Sequence, residues 1–123
     1  MDGPIVIVDF TFDEGLLFVS VRNIGALPAH RVSVQFSEPI YGLGGTKEIS
    51  ALPLFRNIEF LAPGKEIVTL LDTASSYFAS EQPTRIGAEV SWFDQEEERH
   101  RVAIRHDLEI YRDIAFVEGR ARR

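Results

Sequence analysis

The sequence predicts an all-β chain folded as a two-layer antiparallel Greek-key sandwich of about seven strands, and three observations predict it. Apolar residues alternate with polar ones at a period of two along most of the 123 residues. Gly, Pro, Asn and Asp interrupt that alternation at the spacing of a short strand and its connection. No internal segment carries a strong helical period.

Residues 5–12, IVIVDFTF, are β-branched and aromatic, with Val6, Val8, Phe10 and Phe12 on one face. Asp13-Glu14-Gly15 follows as a turn in which Gly15 takes positive φ cheaply. Residues 16–22 align Leu17, Val19 and Val21, and Asn23-Ile24-Gly25 closes the strand with an Asn that can bond its own backbone and a Gly free to turn left-handed. Pro28 then launches residues 29–37, with Val32, Val34 and Phe36 inward and Arg31, Ser33 and Gln35 toward water. Residues 38–50, rich in Gly and without a period, read as a long connection.

Residues 54–61 read as a strand stopped by Ala62-Pro63-Gly64, and residues 66–71 as the next. In residues 72–83 a loop is expected, pinned to the core by Tyr77 and Phe78. Residues 85–93 and 100–108 form a hairpin around the acidic turn 94–99, with Ile86, Ala88, Val90, Trp92, Val102, Ile104 and Leu108 in register. The sandwich thus occupies residues 1–108. Residues 109–123 behave differently: Ile110, Ile114 and Val117 recur at helical spacing, which fits a short C-terminal helix, an amphipathic segment or a linker.

Composition narrows the function classes. Cysteine is absent, which removes disulfides, thiolate metal sites and cysteine nucleophiles. A net charge of -6 opposes a sequence-independent grip on phosphate backbones, so no nucleic acid is expected as a partner. No apolar run reaches the ~20 residues of a spanning helix, and the compartment is not legible.

Local motifs are weak. In Gly42-Leu43-Gly44-Gly45-Thr46-Lys47 the order of Thr and Lys is wrong for a phosphate loop, and Lys47 stands where a dinucleotide fingerprint needs glycine. His100 and His106 share a strand face but lie ~20 Å apart along it, and His30 is remote in sequence. A triad of His106, Asp107 and Ser75 or Ser76 has no nucleophile elbow behind it. Asp94, Glu96, Glu97 and Glu98 lack the ligand spacing of a calcium loop. Arg120, Arg122 and Arg123 amount to about 3 kcal/mol at an anionic surface, a marginal anchor. No catalytic, cofactor-binding or metal residues are assigned, and no cofactor is expected.

The segment LFVSVRNIGALPAHRVSVQF, residues 17–36, resembles the strand, Asn-x-Gly turn, Ala, strand signature of immunoglobulin-like adhesion-type repeats in bacterial and archaeal proteins. With Ile58-Glu59-Phe60-Leu61-Ala62-Pro63-Gly64, Tyr77-Phe78 and Val90-Ser91-Trp92, the chain is similar over most of its length to bacterial sandwich domains without an assigned activity. That resemblance implies an immunoglobulin-like sandwich within a larger parent, any membrane helix lying ahead of this chain. Antibody-type features are missing: there is no Cys pair, Trp92 sits on a late strand, and no tyrosine corner precedes it.

The expected function is a non-catalytic protein-interaction or spacer module, binding a protein partner or a second copy. Candidate contacts are Ile5 and Ile7, the outer apolar residues of a first strand expected at an edge, and Ile110, Tyr111, Ile114 and Val117 of the C-terminal segment. The alternative is a carbohydrate- or small-ligand-binding sandwich that stacks ligands on Trp92, Phe93, Tyr41 or Tyr77.

Overall fold

Alternation in the first two apolar runs becomes an antiparallel hairpin, β1 (Val6–Asp13) on β2 (Leu16–Asn23), in the computed structural model, which describes residues 3–112 and 114. Its loop has only two residues, and both Glu14 (φ 51°) and Gly15 (φ 82°) are left-handed. That is the backbone twist a tight hairpin requires, so Glu14 shares a burden the sequence assigns to Gly15 alone.

The chain continues through β3 (Ala29–Phe36), a small ladder of β4 (Tyr41–Gly42) with β5 (Lys47–Glu48), and a 3-10 turn at Ile49–Ala51. After these come α1 (Pro53–Arg56), β6 (Ile58–Leu61), β7 (Glu66–Thr73) and α2 (Ala74–Ala79). The hairpin of β8 (Arg85–Phe93) and β9 (Arg99–Asp107) precedes a final 3-10 turn, Leu108–Tyr111.

One sheet has the order β1-β2-β7 and the other β6-β3-β8-β9, every pairing antiparallel. Because the chain changes sheet between β2 and β3, between β6 and β7, and again between β7 and β8, the result is an all-β, two-layer antiparallel sandwich with Greek-key crossovers. Between the layers lie Val6, Val8 and Phe10, Leu17, Val19 and Val21, Val32, and Ile86, Ala88, Val90 and Trp92, all buried. Val34, Phe36, Val102 and Ile104 pack against them. Each large aliphatic or Phe side chain removed from water in this way contributes roughly 1.5–3 kcal/mol.

Two bulges shape the layers. Opposite Trp92, β3 inserts an extra residue, with Arg31 at φ 49°, and Val32 returns to the core. On β7 the unpaired residue is Leu71, whose side chain turns inward while its carbonyl accepts the Leu43 N–H at 3.0 Å. The connection over residues 38–50 is thereby tied to β7, and Gly42 sits so close to the Leu71 carbonyl that no Cβ fits between them.

Three sequence expectations are corrected. Residues 54–61 are not one strand, because Pro53 starts a helical turn that sends Phe55 into the core before β6 begins. Residues 72–83 are not a plain loop either. Thr73 caps α2 by accepting the Ser76 N–H at 3.1 Å, and Tyr77 enters the core from that helix. Leu108 is buried, but from the 3-10 turn after β9 and not from the strand.

The Asn23-Ile24-Gly25 turn is built from an Asn with no solvent exposure. Its Oδ1 accepts the N–H groups of Ile5 (3.2 Å) and Gly25 (2.9 Å), and its Nδ2 donates to the carbonyls of Leu27 (2.8 Å) and Leu61 (3.1 Å). All four side-chain hydrogen-bonding places are filled, so one residue joins the chain start, the β2–β3 turn and the end of β6.

Candidate functional site

The first candidate surface is the free edge of β1, since an edge strand offers unpaired N–H and C=O groups to a further strand. Three of those groups are already engaged. His106 on β9 places Nε2 2.8 Å from the Val8 carbonyl, which can only accept, so Nε2 carries the hydrogen. Tyr111 donates its hydroxyl to the Phe10 carbonyl at 2.9 Å, and the Phe10 N–H is taken by Asp9 Oδ1 at 2.9 Å. Rings reinforce the seal: Phe10 meets His106 edge-on at 5.0 Å, and Phe12 stacks on Tyr111 at 5.9 Å. Partial burial, with Asp9 nearby, raises the Tyr111 pKa above the ordinary phenol value.

Ile5 and Ile7 are half-buried. Ile7 lies opposite Arg22 on the outer face of the sheet, while Ile5 lines a depression of about 410 Å³ with Leu27, Trp92, Asp94 and His100. The C-terminal candidates divide. Tyr111 turns in to cap β1, whereas Ile110 is 62% and Ile114 48% exposed, and Ile114 borders a depression with Phe12 and Tyr111. Val117 lies outside the described residues, as do Arg120, Arg122 and Arg123.

The stacking aromatics divide too. Trp92 is only 5% exposed and stacks on His100 at 5.8 Å, and Tyr77 has no exposure at all, so neither is a platform. The Tyr77 hydroxyl donates to the Pro83 carbonyl at 2.5 Å, and burial, with Glu38 and Asp72 adding their charge, pushes its pKa far up. Phe93 is half-covered by the Arg31 guanidinium, 4.2 Å from its ring centre, and Arg31 in turn pairs with Glu97 at 2.5 Å. Tyr41 is 37% exposed. An aromatic the sequence reading missed is Phe60, 56% exposed and edge-on to His30 at 5.4 Å. Its position on a short edge strand, with α1 replacing the expected strand start, hid its outward orientation.

At the acidic turn Asp94 works as a cap. Its Oδ1 accepts the N–H groups of Glu96 (2.8 Å) and Glu98 (3.0 Å), and its Oδ2 accepts Nε2 of His100 at 2.7 Å. The His100 bond is the chief reason its pKa lies below the ordinary carboxylate value. Among the described residues Asp94, Glu98 and His100 are the set whose ligand atoms gather within 4.8 Å, and the hydrogen bonds already satisfy the aspartate. In the glycine loop the Gly44 N–H goes to Asp72 Oδ2 at 3.0 Å, so that loop serves β7. His106 and Asp107 leave β9 on opposite faces, and Asp107 Oδ1 accepts the Glu109 N–H, so the pair is not aligned as base and orienter.

Residues 2–112 match the family described as a domain of unknown function, DUF8453. The chain belongs to that family. No curated protein and no solved structure matches it. The match covers the whole DUF8453 sandwich together with the His106 and Tyr111 seal on β1, and it ends at Arg112. No helix among the described residues of this DUF8453 domain is long and apolar enough to cross a membrane.

Proposed function

We propose that this domain is a non-catalytic interaction or spacer module of a larger bacterial protein, presenting its C-terminal segment to a protein partner. The observation that carries the reading is the exposure of Ile110 and Ile114 just beyond an edge whose Val8 and Phe10 carbonyls are capped from within. The resemblance of the Asn23-x-Gly25 turn and its two strands to adhesion-type repeats supports it. Crosslinking of the full parent protein through residues 110 and 114 tests the reading. Ile110→Asp with Ile114→Asp should abolish the crosslink while leaving the unfolding midpoint in place. A parent that yields no crosslink, together with a strictly monomeric chain in light scattering, would overturn it.

The second reading, a carbohydrate- or small-ligand-binding sandwich, draws on the exposed Phe60 and Tyr41 and on Phe93 beneath Arg31. Phe60→Ala should then weaken retention on immobilised polysaccharide, and unchanged retention would count against it.

A further inference from the structure

The two arginines Arg85 and Arg105 flank a glycine that the fold does not need. Strands β8 and β9 pair without a break here, with Ile86 opposite His106, Gly87 opposite Arg105 and Ala88 opposite Ile104, so Gly87 marks no bulge. It has no positive φ, and a Cβ at this place would stand 3.5 Å from Ser37 Cβ, an ordinary contact. Glycine inside a strand nevertheless costs roughly 0.5–1 kcal/mol relative to alanine. Both backbone groups of Gly87 are bonded to Ser37, whose N–H reaches the Gly87 carbonyl at 2.8 Å, and the missing side chain leaves the space above them open to a further group.

That spot is the floor of a depression of about 470 Å³ bordered by Ser37, Arg85, Gly87, Arg105 and Asp107. By register Arg85, Gly87 and Arg105 share the outer face of the four-stranded sheet, away from the buried Ile86. Neither guanidinium makes an ion pair with a described residue, although Arg85 is near enough for Glu109 to feel its charge. Asp107 gives one oxygen to the Glu109 N–H, leaving two guanidinia against one carboxylate at the rim. The Ser37 hydroxyl accepts the Gly87 N–H at 3.1 Å and keeps its own hydrogen to donate. Farther along the same face Arg101 of β9 is paired with Glu89 of β8 at 3.6 Å, and Arg99 adds a positive charge, in a chain whose net charge is -6. Arginines on an edge strand such as β9 also discourage strand addition. That role asks neither for an arginine on the inner strand β8 nor for a gap between the two.

We propose that the depression over Gly87 binds a small oxyanion-bearing ligand, a carboxylate or a phosphoryl group held between Arg85 and Arg105. Arginine suits both groups, because its planar fork gives two parallel N–H···O bonds to either. Amide NMR of the full chain, titrated with sodium phosphate and separately with sodium citrate against sodium chloride of equal ionic strength, tests the site. Saturable shifts at Gly87 and Arg105 with phosphate or citrate, and none with chloride, are expected, and the stronger arm identifies the class. Arg85→Gln and Arg105→Gln should each weaken binding roughly tenfold. Arg101→Gln, which removes a guanidinium 3.6 Å from Glu89, should leave it within about twofold. Gly87→Ala should weaken binding while leaving the melting temperature unchanged or higher. Shifts that merely follow ionic strength, or an Arg105→Gln variant that binds as well as the parent, would overturn the proposal.

Discussion

His106 on β9 holds the carbonyl of Val8 on β1 at 2.8 Å, and so joins the edges of two different sheets by one side chain. With Tyr111 on Phe10, this closes the side of the sandwich where the first and last strands meet. Replacing His106 by alanine leaves the Val8 carbonyl without its partner and removes the ring from Phe10. The expected loss is about 1–3 kcal/mol in urea unfolding. Because the freed edge can accept another strand, the variant should also form larger species in light scattering at high concentration. A monodisperse variant of undiminished stability would show that the edge is protected in some other way.

Asn23 is the second polar residue on which the fold depends. Asn23→Ala strands two carbonyls and two N–H groups, two of them at the chain start and the end of β6. Some will find water, so the expected cost is about 2–4 kcal/mol and not the sum of four lost bonds. Hydrogen exchange should locate the damage, with protection falling at Ile5 and Gly25 more than along β8.

Glycines can be ranked by what a methyl group would meet. At Gly25 it would strike the backbone of Gly3, Pro4 and Ile5, and at Gly42 the Leu71 carbonyl, and backbone cannot step aside as a side chain can. Gly25→Ala and Gly42→Ala should each cost about 1–3 kcal/mol. Gly3, where a Cβ meets nothing, serves as the control, and Gly3→Ala should leave the midpoint of thermal unfolding where it is.

Much of the sandwich was legible because burial on one face writes a period of two into each strand, as in Leu17, Val19 and Val21. The pattern failed at residues 54–61, where Leu54, Phe55 and Ile58 are apolar without a clean period and only Pro53 marks the helical start. It failed again at Ala74–Ala79, a helix too short for periodicity, whose Thr73 cap was the available signal. The candidate sites were harder still. His106 and Val8 stand 98 residues apart in sequence, and nothing local to either reports the bond. Arg85 and Arg105 become neighbours only once the hairpin register is known, and Gly87 becomes informative only when its surroundings prove to have room for a side chain.

Alkaline pH should unfold this domain through Tyr77. Its phenol is buried and donates to the Pro83 carbonyl, and ionisation would place a negative charge out of water and near Glu38 and Asp72. The folded protein therefore keeps the phenol proton at pH values where the unfolded chain, titrating near 10.0, has released it. Because the folded pKa is raised, the stabilisation is fully present below the unfolded value and is lost as pH rises from there through the folded value. Tyr77→Phe removes the hydrogen bond and should cost about 1 kcal/mol near neutral pH. It also removes the titrating group, so the stability gap between parent and variant should narrow as pH climbs past 10.0. Tyr111, whose pKa is raised by its own burial, is common to both proteins and cancels in the comparison. Urea midpoints measured for both across that range decide the matter, and a gap that stays constant with pH would mean that the buried phenol does not control alkaline unfolding.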